Sequence, residues 1–335
     1  MSEFRQDRVT GDWSIIAPKR SKRPHSPDDA APVGKQPVAS FDASCPFCPG
    51  NEHMIMPVIE ETAYGEPPGW LIRTVRNKYP ILSMDGDARE GEPESGYGHH
   101  EVVIETPRHD LDLEDFPHAD MTALVDMWHR RLEAALAMPG IKSVQLFRNR
   151  GSAAGASLSH AHSQIVALPL TPPRQSETLR RAHAFHEETG ECTICAELAR
   201  ELEDGTRVVE LADDFAVLVP FAARDPLEQW IIPRRHSPCF SRTHADERSS
   251  FGSVLQGAVR RLLSVAGETA YNLVLEPGSI RIEETAVAHW SMRIVPHLNT
   301  PAGFELGSGM AANPSSPEND ALRLREAKVP APVSV

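Results

Sequence analysis

The chain has 335 residues, 40% of them apolar, so it is long enough for two domains of ordinary size with buried cores. Its 34 Lys and Arg against 47 Asp and Glu give a formal net charge of −13, which argues against a general nucleic-acid-binding protein. No stretch approaches the roughly 18 apolar residues that a membrane span needs, and the N-terminus does not resemble a signal peptide. We therefore expect a soluble cytoplasmic protein with neither a nucleic-acid nor a membrane partner.

The first half is predicted to contain several strands and one long helix. Strands are expected at residues 12–17, 70–76 and 101–105, each followed by a proline within a few residues. Residues 145–168 follow as a strand, a loop and a second strand. A helix is predicted over residues 120–137 because apolar residues recur at helical spacing, namely Met121, Leu124, Val125, Trp128, Leu132 and Ala135.

The second half repeats this order of elements. The predicted helix spans residues 246–266, and the predicted strands lie at residues 207–211, 215–220, 229–232, 271–275 and 289–295. In each half a C-x-x-C pair comes first, one histidine follows a strand-ending proline, and another histidine lies on a late strand. A repeat of this length predicts two copies of one architecture.

Four of the five cysteines form the two C-x-x-C pairs, a spacing that in a cytosolic protein indicates metal binding or redox chemistry. Zn²⁺ takes four ligands tetrahedrally, and Cys₂His₂ is a common set. The alternative is a redox pair, which we disfavour because neither pair shows the helix N-terminus of a thioredoxin-like motif. The two predicted zinc sites are Cys45, Cys48, His109 and His160 in the first half, and Cys192, Cys195, His236 and His289 in the second.

The most informative stretch is FRNRGSAAGASLSHAHSQ, residues 147–164. Its Gly, Ala and Ser residues let backbone N–H groups approach an anion. On a strand, His160, His162 and Gln164 would share one face. If His160 binds metal, His162 is free to attack phosphorus and form a covalent intermediate. An isolated H-x-H pair is more often structural, so this prediction depends on the loop and on the metal ligands together.

Two further expectations concern charge and the second half. An acidic chain needs local cations for a phosphate, and Arg148, Arg150 and the basic residues 19–23 are the candidates. The second half carries Ser291 and Arg293 where the first has His162 and Gln164, and it lacks the Gly-rich loop. Only the first half is therefore expected to be catalytic.

These motifs resemble the galactose-1-phosphate uridylyltransferase family, a branch of the histidine triad superfamily. The resemblance implies an α+β fold, a tandem repeat of two histidine-triad-like domains with antiparallel sheets packed with helices. Residues 1–172 would be the catalytic domain and residues 173–335 a degenerate copy, with zinc at two sites and a possible homodimer. The stretches that carry the resemblance are RQDRVTGDWSIIAPKRSKRP, CPFCPGNE, VRNKYPIL, HEVVIETPRH, FRNRGSAAGASLSHAHSQ, CTIC and AGFELGSGM.

The resemblance also implies roles for single residues. His162 matches the histidine that carries the nucleotide, and Gln164 matches the amide that holds its phosphate. Cys45, Cys48, His109 and His160 match zinc ligands. Glu305 falls near a stretch that contacts sugar, often across a dimer interface. The positions that match nucleotide and phosphate contacts are Asn77, Asn149, Gly155 and Ser157.

The implied reaction is a ping-pong exchange of a nucleotidyl group between a nucleotide sugar and a sugar 1-phosphate. We predict a UDP-glucose:hexose-1-phosphate uridylyltransferase of galactose metabolism. One departure leaves an alternative open, because the family's usual P-H-P-H motif is here Ser159-His160-Ala161-His162. This form also resembles the ADP-glucose phosphorylase relatives, which transfer adenylyl to phosphate. Alternatives of another class are a histidine triad nucleotide hydrolase and a non-catalytic, zinc-stabilised nucleotide-binding protein.

Overall fold

The computed structural model describes residues 2–22, 38–64, 69–84 and 96–329. Among the described residues, no helix combines the length and the hydrophobicity needed to cross a bilayer. The strands are β1 Glu3–Gln6, β2 Trp13–Ile16, β3 Val58–Tyr64, β4 Gly69–Arg76, β5 His99–Ile104, β6 Ser143–Arg150, β7 His162–Leu168, β8 Val208–Leu211, β9 Phe215–Leu218, β10 Gln229–Pro233, β11 Tyr271–Glu276, β12 Ser291–Pro296 and β13 Ala311–Asn313. The α-helices are α1 His118–Leu136, α2 Pro173–Thr189, α3 Thr193–Asp204, α4 Ala245–Ala266, α5 Gly303–Ser308 and α6 Pro317–Arg325.

Ten strands form one sheet in the order β3-β4-β5-β7-β6-β11-β12-β10-β9-β8, and all neighbours are antiparallel. The order is symmetric about its centre, since β3-β4-β5-β7-β6 is followed by its counterpart read backwards. The two halves meet where β6 pairs with β11. The predicted α+β fold, with a repeated antiparallel sheet packed with helices, is confirmed. A small second sheet joins β1, β2 and β13.

The two faces of the large sheet have different environments, because successive side chains on a strand point to opposite sides. One face is covered by α1 and α4, whose apolar residues form the main core with Leu146, Ile165, Leu273 and Met292. The opposite face carries Gln164, Phe147 and Val274, which are cross-strand neighbours on β7, β6 and β11. In the second half this face is covered at β10, because Ile194 and Leu198 of α3 pack against Trp230.

The helices α1 and α4 agree with the sequence predictions within two residues at each end. All six apolar residues predicted for the core face of α1 are buried. By contrast, α2 and α3 were not predicted. In α2 only Ala182 is buried, so its sequence carries no apolar stripe.

We propose that residues 1–172 and 173–335 are two repeat units that unfold as one cooperative body. The β6–β11 ladder and the packing of α1 on α4 link the halves through one core. Native-state hydrogen exchange at rising urea should therefore give β7 and β12 the same free energy of opening. If β12 amides stayed protected after β7 amides had lost protection, the two units would be independent.

Candidate active site and metal centres

The first predicted metal cluster is assembled in the structure. Nδ1 of His160 lies 3.6 Å from Sγ of Cys45 and 3.7 Å from Sγ of Cys48. Nδ1 of His109 lies 3.5 Å from Sγ of Cys48, and all four ligand atoms lie within 4.8 Å of one another. Tetrahedral zinc, with Zn–S of about 2.3 Å and Zn–N of about 2.0–2.1 Å, places N and S about 3.6 Å apart. The cluster therefore fits a zinc ion.

The histidines of this cluster are also oriented for a metal. Nε2–H of His160 donates to the carbonyl of Thr106 at 2.8 Å, and Nε2 of His109 lies 3.1 Å from Oγ of Ser159. The carbonyl of Thr106 can only accept, so it fixes the tautomer of His160 that leaves Nδ1 free to bind metal, and the hydroxyl of Ser159 can accept from His109 in the same way. Burial lowers the pKa of His160 to about 4, which keeps its imidazole neutral at neutral pH.

The second cluster has the same design. Sγ of Cys195 lies 3.4 Å from Nδ1 of both His236 and His289, and Sγ of Cys192 lies 3.9 Å from Nδ1 of His289. Nε2–H of His236 donates to the carbonyl of Thr285 at 2.8 Å. The four ligand atoms again lie within 4.8 Å of one another, so this cluster also fits zinc.

One expectation about the second cysteine pair is wrong. Cys192 is the N-cap of α3, so this C-x-x-C does lie at a helix N-terminus. The first pair instead forms a tight turn, in which the amide of Cys48 donates to the carbonyl of Cys45 at 3.3 Å. Two imidazole nitrogens directed at the thiols of Cys192 and Cys195 still favour metal binding over a redox pair.

His162 begins β7 and is almost completely buried. Its Nδ1 lies 2.8 Å from the carbonyl oxygen of His160, which can only accept, so Nδ1 carries the proton. In the neutral ring the lone pair is then on Nε2. Burial lowers the pKa of His162, which favours this neutral form. The ring of Phe47, between the two cysteines, packs at 5.3 Å between centroids and restricts the imidazole.

Beside His162 lies a cavity of about 380 Å³. It brings together four of the predicted site residues, namely Asn77, Ser157, His162 and Gln164. Its remaining walls are mainly apolar, with Arg76 and Lys78 as the cations among its lining residues. Sequence reasoning missed these two cations, although they flank Asn77 directly. The cavity is large enough for part of a nucleotide.

Gln164 has a partner that sequence reasoning did not identify. Its Oε1 lies 2.9 Å from Nε2 of His100 on β5, and the backbone amide of Ile81 lies 3.3 Å from Nδ1 of the same ring. Burial lowers the pKa of His100. The available signal was its place at the start of HEVVIETPRH, two residues from the strand position opposite Gln164.

Asn149 lies near the end of β6, and Gly155 lies on the loop that follows this strand. Gly155 adopts the left-handed region at φ 86°, which favours glycine, and its carbonyl lies 3.5 Å from Nδ2 of Asn149. Glu305 lies on the short helix α5, where its carboxylate accepts from the amide of Ala302 at 3.0 Å. The predicted substrate contacts of these three residues stay predictions.

The expectation that Arg148 and Arg150 meet the substrate phosphates is wrong. Arg148 is 2% exposed, lies on the helix-covered side of β6, and pairs with Glu105 at 2.9 Å and with Asp112. Arg150 pairs with Asp112, Glu114 and Glu268. Both guanidinium groups are thus neutralised by carboxylates. Of the basic residues 19–23, position 23 lies outside the described residues, whereas Lys19 and Arg20 are exposed on a 3-10 helix.

In the second half the space beside Ser291, which matches His162, is much smaller than the cavity beside His162. The space there is about 60 Å³, bounded by Ser291, Arg293 and His289 together with residues of α2 and α3. Arg293 is buried and pairs with Glu228 at 2.9 Å and with Glu276 at 3.5 Å. A separate cavity of about 310 Å³ is lined by Arg293 but not by Ser291. A serine in place of His162, with little space beside it, supports the expectation that this half is degenerate.

Arg148 allows a stability test. Arg148→Met leaves the buried carboxylate of Glu105 without its partner and leaves Asp112 with Arg150 alone, so the free energy of unfolding should fall by about 3–5 kcal/mol. The measurement is equilibrium urea unfolding of the metal-loaded protein. Arg180→Met, which removes an exposed pair with Glu177, is the control and should leave stability unchanged. Equal stability of both variants would contradict the buried network.

The metal centres should be separable. Cys45→Ser and Cys192→Ser should each lower the zinc content from about two ions per chain to about one, and each should lower stability. Elemental analysis after chelator-free purification measures this. Cys239→Ser is the matched control, since this fifth cysteine contacts Ser241 rather than a histidine. A metal-free wild type, or a loss of zinc in the control, would refute the ligand sets.

Comparison with known proteins shows which family the chain resembles. The family model described as galactose-1-phosphate uridyl transferase, N-terminal domain, matches residues 1–172. The chain is 33% identical over 333 residues to the ADP-glucose phosphorylase of Arabidopsis thaliana, covering 97% of this chain and 92% of that protein. It is 29% identical over 343 residues to the galactose-1-phosphate uridylyltransferase of Thermotoga maritima, covering 98% and 99%.

Solved structures show the same relationship. The crystal structure of the Arabidopsis thaliana ADP-glucose phosphorylase with bound ADP-glucose matches with a TM-score of 0.87 at 32% identity, covering 98% of this chain and 100% of that chain. A structure described as uridylyltransferase matches with a TM-score of 0.73 at 27% identity, covering 97% of both chains. The resemblance identified from the motifs is confirmed. The chain belongs to the galactose-1-phosphate uridyl transferase family of nucleotidyltransferases.

Proposed function

We propose that the chain transfers a nucleotidyl group from a nucleotide sugar to a phosphate-bearing acceptor through a covalent adduct on His162. The observation that carries the proposal is the hydrogen bond from Nδ1–H of His162 to the carbonyl of His160, at 2.8 Å. It leaves the lone pair on Nε2 of a residue that lines the cavity. His160 binds metal through Nδ1 in this proposal, so its own ring cannot attack.

The chemistry proceeds in two displacements. Nε2 of His162 attacks the α-phosphorus, a P–N bond forms, and the P–O bond to the sugar 1-phosphate breaks. The departing phosphate oxygen takes the electron pair. The acceptor's phosphate oxygen then attacks the same phosphorus, and the P–N bond breaks to restore the neutral imidazole. The carbonyl of His160 stabilises the positive charge that the ring carries in the adduct.

The other site residues act on the phosphate and the base. In this proposal Gln164 and amides of the loop donate to phosphate oxygens, a contribution of about 3–4 kcal/mol for each well-placed donor. Arg76 and Lys78 supply the positive charge that an acidic chain needs near its substrate. A zinc ion at the first centre would contribute rigidity, by fixing the ring of His160 whose carbonyl orients His162.

We propose uridylyl exchange between glucose and galactose 1-phosphates as the reaction. It is supported by uridylyltransferase relatives that match nearly the whole chain. Phosphorolysis of ADP-glucose is the second candidate. It is favoured by the Ser159-His160-Ala161-His162 sequence and by the 33% identity with an ADP-glucose phosphorylase.

We also propose a homodimer and a cytoplasmic location. The homodimer is supported by the family resemblance, in which the stretch near Glu305 contacts sugar across a subunit interface. The cytoplasmic location is supported by the cysteines, because none of the five forms a disulfide. Cysteines without disulfides are typical of a reducing compartment.

The central prediction concerns His162. His162→Gly should lower kcat by at least about 10³-fold, because the nucleophile is gone, while the zinc content stays unchanged. Added imidazole should accept the nucleotide in the space that the substitution leaves. His160→Ala should lose zinc, with activity falling as a consequence. The exposed His118 at the start of α1 is the control, and His118→Ala should keep full activity.

The adduct itself is measured by incubating the protein with labelled UDP-glucose or ADP-glucose without acceptor, and mapping the acid-labile label. The nucleotide that becomes attached to His162, uridylyl or adenylyl, identifies the donor. Galactose 1-phosphate and inorganic phosphate are then compared as acceptors. A label on His160, or full exchange by His162→Ala, would overturn the mechanism. Turnover by water alone would indicate a hydrolase, and no labelling with either donor would indicate a binding protein.

A further inference from the structure

A chain of side-chain hydrogen bonds crosses from the second half of the molecule to the phosphate loop. Asn272 on β11 lies opposite Asn149 on β6. Its Nδ2 donates to Oδ1 of Asn149 at 2.8 Å and to the carbonyl of Ala154 at 2.9 Å. Its Oδ1 accepts from Nε2 of His297 at 2.6 Å.

The carbonyl of Ala154 determines which groups donate and which accept in this series of hydrogen bonds. A backbone carbonyl can only accept, so the amide nitrogen of Asn272 must face it, and Oδ1 must face His297. Nε2 of His297 therefore carries a proton. Both hydrogens on Nδ2 of Asn272 are used, which satisfies every donor of that amide.

These hydrogen bonds determine whether the oxygen or the nitrogen of the Asn149 side-chain amide faces the loop. Since Oδ1 of Asn149 accepts from Asn272, its Nδ2 is turned toward the loop. There it lies 3.5 Å from the carbonyl of Gly155, too far for a strong hydrogen bond. Asn149 thus presents an N–H donor that is available to a phosphate oxygen.

Asn272 also holds the loop at two points. One is Asn149, at the end of β6, and the other is Ala154, in the 3-10 turn Ser152–Ala154. The loop is packed on the same part of the second half, since a Cβ on Gly151 would lie 3.0 Å from Cβ of Ala270. The loop therefore takes its position from β11 rather than from the first half alone.

We infer that Asn272 and His297 are positioning residues of the reaction, which hold the phosphate loop and aim the amide of Asn149 at the substrate. The inference rests on the proposed function. It gives the second half a part in the reaction, although that half lacks the nucleophile. Neither residue touches the reacting atoms, so both act through Asn149 and the loop.

A double-mutant cycle tests the inference. Asn272→Ala should lower kcat/KM of nucleotidyl transfer by about 10- to 100-fold, the cost expected when a phosphate donor is misplaced. In the Asn149→Ala variant the same substitution should change kcat/KM by less than about twofold, because the amide through which Asn272 acts is absent. His297→Leu should resemble Asn272→Ala, and His297→Gln should retain activity because its amide can donate to Oδ1 of Asn272.

The matched control is Gln145→Ala. Gln145 is also on β6, and its amide crosses the same seam to donate to the carbonyl of Leu275 at 2.7 Å, but it does not contact the loop. This variant should keep full activity. Should Asn272→Ala fail to fold, Asn272→Asp keeps the shape but places an acceptor opposite the carbonyl of Ala154. It is expected to show the same loss of kcat/KM.

A second readout does not depend on activity. The amides of Gly155 and Ala156 donate within the loop, to Ser152 and Gly151, and should exchange hydrogen faster in Asn272→Ala but not in Gln145→Ala. The inference would be overturned if amide hydrogen exchange in the loop were unchanged in Asn272→Ala. It would also be overturned if the effects of Asn272→Ala and Asn149→Ala on kcat/KM were additive. A wild type that forms no adduct and transfers no nucleotide would instead refute the proposed function, and loop exchange would still decide whether Asn272 positions the loop.

Discussion

The antiparallel ladder between β6 and β11 pairs Phe147 with Val274 and Arg150 with Tyr271, and it joins two five-stranded halves into one sheet. Because successive side chains on a strand point to opposite faces of the sheet, the side chains of Arg148 and Asn149 lie on different faces. Arg148 lies under the helices within a buried ion network, whereas Asn149 faces the loop. Core and candidate site are therefore built on opposite sides of the same few residues.

The two halves use this frame differently. Each keeps two cysteines and two histidines in a cluster that fits zinc, so the metal scaffold is common to both. In the first half the sheet face stays open beside His162, and a cavity remains. In the second half α3 packs on that face, and Arg293 is held by Glu228 and Glu276. Packing, rather than a different fold, accounts for the contrast.

Much of the fold could be predicted from the sequence, because α1 and α4 carry continuous apolar stripes and the Cys and His residues specify their own chemistry. Other features depend on register, which the sequence does not reveal. A shift of one residue in the register of β6 would exchange the faces on which Arg148 and Asn149 lie, and so decide which of them faces a substrate. Asn272 lies 123 residues from Asn149 and belongs to no motif, so its contact becomes visible only in the folded chain.

His160 serves two neighbours at once, since its ring belongs to the metal cluster and its carbonyl accepts the proton of His162. An imidazole nucleophile is itself resistant to mild oxidants. The thiolates of Cys45 and Cys48 are sensitive to such oxidants, and their oxidation would release the metal. The backbone of His160, which orients His162, would then no longer be held in place. A transferase with no catalytic thiol would in this way acquire the oxidant sensitivity of a cysteine enzyme.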